Sequence, residues 1–198
     1  MSTAAPAPAG QGAPHRRVLE ALPLAAELYW WRNRNRFQGY YSLHAVEAHA
    51  AELKAAASRA AQAAGTGKKI HLFASWFYWV DYCAVLGMAF AGQGHQVSLA
   101  YLPYASFKQV TSRFNRRVQE LYTHDRLGRL QPWLRPVSLL RMRPSGSLPP
   151  VLREAVERIA EYDTLYIQQT EDVDPGSDLH HLRRERDLLA ARAALEWL

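Results

Sequence analysis

Between Lys68 and Tyr101 the chain runs strand, helix, strand, and no other stretch constrains the fold as much. Lys69-Ile70-His71-Leu72-Phe73-Ala74 is a short run bounded by Gly65-Thr66-Gly67. Val80 to Ala91 has helical spacing, and Gln96 to Tyr101 alternates with period two. The turn Gly92-Gln93-Gly94-His95 joins that helix to the second strand. Two strands linked through a helix require a right-handed crossover, so both run the same way in one sheet. The expected class is α/β, a Rossmann-like parallel sheet flanked by helices.

Later segments extend the pattern to about four strands. Ser106 to Leu121 reads as a helix, Val137-Ser138-Leu139-Leu140-Arg141 as a third strand, and Pro144 to Pro150 as a turn. A helix follows from Val151 to Ala160, then a fourth strand, Thr164-Leu165-Tyr166-Ile167-Gln168. The last helix starts near Ser177 and carries Leu182, Leu189, Ala193 and Trp197 on one stripe, with Asp178 in its first turn. Its apolar end, Leu195-Glu196-Trp197-Leu198, fits either a terminus docked on the sheet or a fragment of a longer enzyme.

Two helices precede the sheet. Pro23 suits a first helical position before Leu24, Leu28 and Trp31. The second helix is expected to start at Ser42 as cap and to end at Gly65. Its stripe of Leu43, Val46, Ala50, Leu53, Ala57, Ala60 and Ala64 is narrow and leans on the main domain or on a partner. The organisation is a leader over 1–15, a helical extension over 16–66 and the α/β domain over 67–198. The leader is rich in Ala, Pro and Gly and lacks the apolar core of a signal peptide.

Cys83 is the one cysteine of the chain, which excludes an intrachain disulfide and gives no sign of an oxidising compartment. Leu72 to Gly92 approaches the length of a membrane span, but Asp81 near its centre speaks against one. The expectation is a cytoplasmic protein, peripheral at most to the inner face of the membrane. Neither GxGxxG nor a phosphate loop is present, which argues against nicotinamide, flavin or ATP. No cofactor is expected. Eight histidines form no HExxH motif and no paired cysteines accompany them, so no metal is assigned.

In doubly wound sheets ligands bind beyond the carboxyl ends of the strands, where the strand order reverses. With the usual order 3-2-1-4 that point lies between the first and fourth strands. The loop Ser75 to Asp81 would then face the loop Gln169 to Asp174. Ser75, Trp76, Tyr78, Gln169 and Glu171 are the candidate substrate-binding residues, because aromatic faces beside carboxylates and amides suit a sugar. Asp81, Glu171 and Asp172 are the candidate bases. Packing of Trp76 onto the helix core, a capping role for Ser75 and a solvated role for each acid are the plainer alternatives.

The net charge of +6 is local: Arg113 to Arg143 holds eight arginines against Glu120 and Asp125. Arg32, Arg34 and Arg36 interleave with Trp30, Trp31 and Phe37 in a second cluster. Such faces are usually solvated, or they meet anionic lipid headgroups, substrate phosphates or nucleic acid, the last the least favoured.

The segment Leu86 to Val97, with its Gly94-His95-Gln96-Val97 joint between helix and strand, resembles the start of GT-B glycosyltransferases. Tyr162 to Tyr166 and Leu182 to Arg186 are similar to the amino-terminal half of bacterial surface or capsule polysaccharide enzymes of that type. The resemblance covers about Lys68 to Leu198. It implies an acceptor-binding domain, a nucleotide-sugar donor held by a further carboxyl-terminal domain, and a cleft faced by Ser75, Trp76, Tyr78, Glu171 and Asp172. Some such enzymes carry a histidine base in the first-strand loop; this chain has none there, so the base stays unassigned. The alternatives are a non-catalytic binding module that docks through its Ala-rich helix and basic faces, and a peripheral membrane or nucleic-acid binder.

Overall fold

Three parallel strands carry the fold. The computed structural model describes residues 22–34, 42–62, 65, 67–104, 112–142, 147–168, 172 and 174–197. In chain order these form α1 (Ala25–Asn33), α2 (His44–Ala61), β1 (Lys69–Trp76), α3 (Phe77–Gly92), β2 (Gln96–Tyr104), α4 (Arg113–Gly128), β3 (Leu134–Ser138), a 3-10 turn (Leu139–Arg141), α5 (Pro150–Gln168) and α6 (Asp178–Trp197). The strand order is β1-β2-β3. Leu72 stands opposite Leu99, and Val97 opposite Leu134.

Two successive right-handed crossovers in one direction place α3 and α4 on the same face of the sheet. There Val80, Ala84, Met88 and Ala91 of α3 meet Ala74, Val97, Leu99 and Leu134. The opposite face of β2, formed by Ala100, Leu102 and Tyr104, is covered with Leu139 by Leu189, Ala190 and Ala193 of α6. Helix α5 packs on α6. The architecture is α/β and Rossmann-like, with three strands rather than four.

The expected fourth strand, Thr164 to Gln168, is the last part of α5. Nothing between Ala160 and Thr164 breaks a helix, and both residues are fully buried, one turn apart. The Thr164 hydroxyl donates to the Ala160 carbonyl at 2.7 Å, so its β-branch is absorbed within a helix. β1 is therefore an edge strand, and among the described residues the sheet has no reversal of order beside it.

Other boundaries shift for local reasons. β3 begins at Leu134 and gives way to the 3-10 turn at Leu139, earlier than the expected Val137 to Arg141. β1 runs into α3 without an intervening loop, so Ser75 and Trp76 end a strand and Phe77 to Val80 form the first helical turn. Helix α2 takes no side-chain cap from Ser42. Its first amides, of Ala45 and Val46, donate instead to the two carboxylate oxygens of Asp81 at 2.8 and 3.1 Å. On α1, Ala26 and Trp30 are buried, while Leu24, Leu28 and Trp31 lie on the exposed side. Among the described residues no helix is long and apolar enough to cross a membrane.

Gly67 and Gly94 must both be glycine where the start of β1 meets the turn before β2. A Cβ on Gly67 would lie 2.0 Å from the Gly94 carbonyl oxygen. Gly94 itself has φ 87°, a conformation other residues rarely adopt. This contact pins the start of β1 to the turn before β2, beside the hydrogen bond from Gln96 N to Lys68 O at 2.9 Å.

Candidate functional site

The carboxyl ends of the three strands lie along one edge, where aromatic and charged side chains gather. At β1 the ladder slips by one residue after Ala74, so Trp76 becomes the partner of Tyr104, the last residue of β2. The strand then turns directly into α3. Phe77 and Tyr78 pack against Trp76, with ring centroids 5.9 and 4.0 Å away. Tyr78 and Trp79 remain exposed.

Beside this aromatic junction, Tyr104 is buried and lies under the Arg186 guanidinium, 4.1 Å from its ring centroid. Burial lowers the Arg186 pKa; Tyr104 opposes this, and the charges of Arg183 on the same helix and Arg116 of α4 add to it. Burial also lowers the Arg183 pKa, against the pull of Asp163 and Asp187. Desolvation raises Asp187 to about 6, with Asp163 adding to the shift and Arg183 and Arg186 opposing it. Clustered aromatic rings beside guanidinium groups suit a sugar or a phosphorylated sugar, through apolar contact and charge-assisted hydrogen bonds respectively.

A second polar cluster lies between α4 and the end of β3. Glu120, only 1% exposed, accepts from Arg117 of its own helix and from Arg141 of the 3-10 turn. Arg117 also reaches Glu27 of α1 at 2.7 Å. Tyr101 lies 3.4 Å from the His124 ring nitrogen, and burial with the Glu120 charge pushes its hydroxyl pKa far up. Burial and the Arg141 charge lower the His124 pKa. Arg126 pairs with Glu47 at 2.7 Å and Asp125 at 2.6 Å, donates to the Arg34 carbonyl at 3.0 Å and lies over Trp30. Half of the eight-arginine run, namely Arg117, Arg126, Arg129 and Arg141, therefore pairs with carboxylates of this same chain. These pairs stitch α1 and α2 to α4.

No family model, curated protein or solved structure matches the chain.

Of the residues singled out in the sequence, Ser75, Trp76 and Tyr78 come together at the carboxyl edge. Asp81 does not join them, because both of its carboxylate oxygens are engaged by α2. Asp172 lies exposed between α5 and α6. Gln169 and Glu171 lie outside the described residues, as do Arg36 and Phe37. Among the described residues no group of His, Cys, Asp or Glu could hold a metal ion. Tyr104, Arg116, Arg183 and Arg186 were not legible as a set, because strand β2 and helices α4 and α6 bring them together from distant parts of the chain. The one local signal was Tyr104, a tyrosine closing strand β2.

Proposed function

We propose that this domain is the acceptor-binding half of a two-domain glycosyltransferase, taking a glycan or lipid-linked acceptor at the carboxyl edge of its sheet. The observation that carries the reading is the tilted ring pair of Trp76 and Tyr78, next in the ladder to Tyr104 and its Arg186. Sugar rings bind on such faces, and the neighbouring guanidinium groups suit the phosphate of a lipid-linked acceptor or of a nucleotide-sugar donor. The resemblance of the Gly94 to Val97 joint to GT-B enzymes supports the same reading. Transfer itself would be completed by a donor-binding domain, and the base is left unassigned, since Asp81 caps α2.

The test is a titration of the whole chain with oligosaccharides and lipid-linked oligosaccharides, read by tryptophan fluorescence and calorimetry. Saturable binding that weakens about tenfold or more in Trp76→Ala and Tyr78→Ala is expected, the range of one lost stacking contact. Binding that neither substitution changes, or no binding across the panel, overturns the reading.

We also propose peripheral attachment to anionic membranes through the exposed side of α1, where Leu24, Leu28 and Trp31 adjoin Arg32. Co-sedimentation with phosphatidylglycerol vesicles should fall in Trp31→Ala and in high salt. Equal sedimentation of both proteins would remove this part of the proposal.

A further inference from the structure

The two edges of the sheet are guarded unequally. β3, one edge, carries Arg135 and Pro136 in its middle, a charge and a missing donor of the kind that keeps edge strands from pairing. β1, the other edge, reads Ile70-His71-Leu72-Phe73-Ala74 between Lys69 and the bulge at Ser75, with neither charge nor proline in that stretch. Phe73 is 49% exposed. An edge with neither charge nor proline before its bulge is a surface open to another strand.

The helix beside that edge has the same character. α3 turns Val80, Ala84, Gly87 and Ala91 toward the sheet, and Asp81 and Gly92 toward α2. At 3.6 residues per turn the flank away from α4, overhanging β1, carries Trp79, Tyr82, Cys83, Leu86 and Phe90. Trp79, Tyr82 and Leu86 are 55%, 71% and 47% exposed. Asp81 is the one charged residue of α3, and it faces α2.

We infer that this face pairs with a second copy of the chain, β1 against β1 in antiparallel register and α3 against α3, about a two-fold axis normal to the sheet. Spacing favours this occupant. α3 packs against β1 and β2 and reaches β3, which places it at least half a strand spacing inside β1. Adding a strand at the usual separation of about 4.8 Å then leaves the two copies of α3 about 10 Å apart or somewhat more, a gap that side chains as large as Trp79 and Tyr82 span. A single operation thus satisfies the strand edge and the helix stripe together.

Symmetry favours it as well. A Cβ on Gly87 would lie 3.3 Å from Leu72 Cδ1, so Leu86 is level with the middle of β1 and meets its own copy near the axis. A register centred near Phe73 sets Phe73 against its copy on the opposite face, an aromatic cross-strand pair. The exposed side chains supply on the order of 500 Å² per protomer. With the strand edge added, this approaches the roughly 800 Å² per partner of a standard interface.

Sedimentation equilibrium and light scattering on the whole chain test the pairing. The expected mass is twice the 22.5 kDa of one chain. Leu86→Glu sets two carboxylates against each other across the axis and should weaken the dimer by about 100-fold or more, with an unchanged far-ultraviolet circular dichroism spectrum. Trp79→Arg serves as a second, peripheral disruption. Amide exchange reads the same surface without any substitution: β1 amides facing the outer edge should gain protection with protein concentration. A monomer at 100-fold excess over working concentration, a mass above two chains, or a dimer with unprotected β1 amides and no response to either variant overturns the inference.

Discussion

At the scale of single residues, the carboxylates show how position in the fold decides role. Asp81 is far in sequence from α2, yet it accepts both Ala45 N and Val46 N, the task a local cap residue usually performs. Asp81→Ala should therefore lower stability by about 1–2 kcal/mol in a denaturant titration, as for other lost caps. An unchanged midpoint would show that the cap is not needed. Asp187 is the opposite case, a carboxyl that folding places where charge is unwelcome, with no hydrogen bond to its Oδ2 among the described residues. Its pKa rises from 3.8 to about 6 on folding, so the native state binds more protons than the unfolded chain between those values. Stability contributed by this group is present below pH 4 and is lost as pH rises through about 6. Asp187→Asn should thus stabilise the protein at pH 7 by about 2 kcal/mol and change little at pH 3.5. Melting curves of the two proteins compared at both pH values isolate this group from Glu27 and Glu47, whose lowered pKa values act in the other direction. A gain of equal size at both pH values would assign the effect to packing instead.

At the scale of elements, close contact between α2 and α3 depends on what is absent from Gly92. A Cβ there would stand 3.1 Å from Ala60 Cβ and 3.2 Å from Ala57 Cα, and backbone cannot move aside as a side-chain tip can. Gly92→Ala sets a gain in helix propensity against this crowding, whereas Gly92→Val adds bulk with no such return. Gly92→Val should cost about 1–3 kcal/mol, with faster amide exchange along α2; unaltered exchange there would mean that the helices separate easily. The same contact explains what the sequence could reveal. A stripe of alanines signals a close partner without naming it, and only the folded chain identifies that partner as α3. β1, α3 and β2 were legible because glycine turns and a change of period bound them, with ends off by two or three residues. The end of α5 was not: Thr164 to Gln168 has the composition of a strand, and length and tertiary packing on α6 override it. At the candidate site, the Ser75 to Tyr78 junction could be read because it is contiguous. The Glu120 pairing with Arg117 and Arg141 could not, since Arg141 arrives from beyond β3.

At the scale of the whole molecule, the two faces of the sheet are secured very differently. One face has α3 and α4 bound into a single apolar cluster, further tied by the Arg117, Arg126 and Arg141 ion pairs. Among the described residues the other is covered by α6, through Leu189, Ala190, Ala193 and the Arg186 contact with Tyr104, and by Leu139 of the 3-10 turn. Among the described residues helix α5 packs chiefly on α6, to which it is joined by Arg184 with Glu157 and by Arg183 with Asp163. Elements with few buried contacts open at lower free energy than the core they rest on. The α5 and α6 pair should consequently detach as one unit while the β1-α3-β2-α4-β3 core stays folded. Native-state amide exchange would show this as a common, lower opening free energy for both helices. Ala193→Asp, which sets a carboxylate against Leu102 and Leu139, should abolish protection in α5 and α6 and leave that of β2 largely in place. The Arg186 cation leaves Tyr104 in the same opening, so ligand binding at the carboxyl edge should weaken along with the helices' protection. Exchange at a single free energy throughout the chain would mean that the α6 contacts, few as they are, suffice to make the molecule one cooperative body.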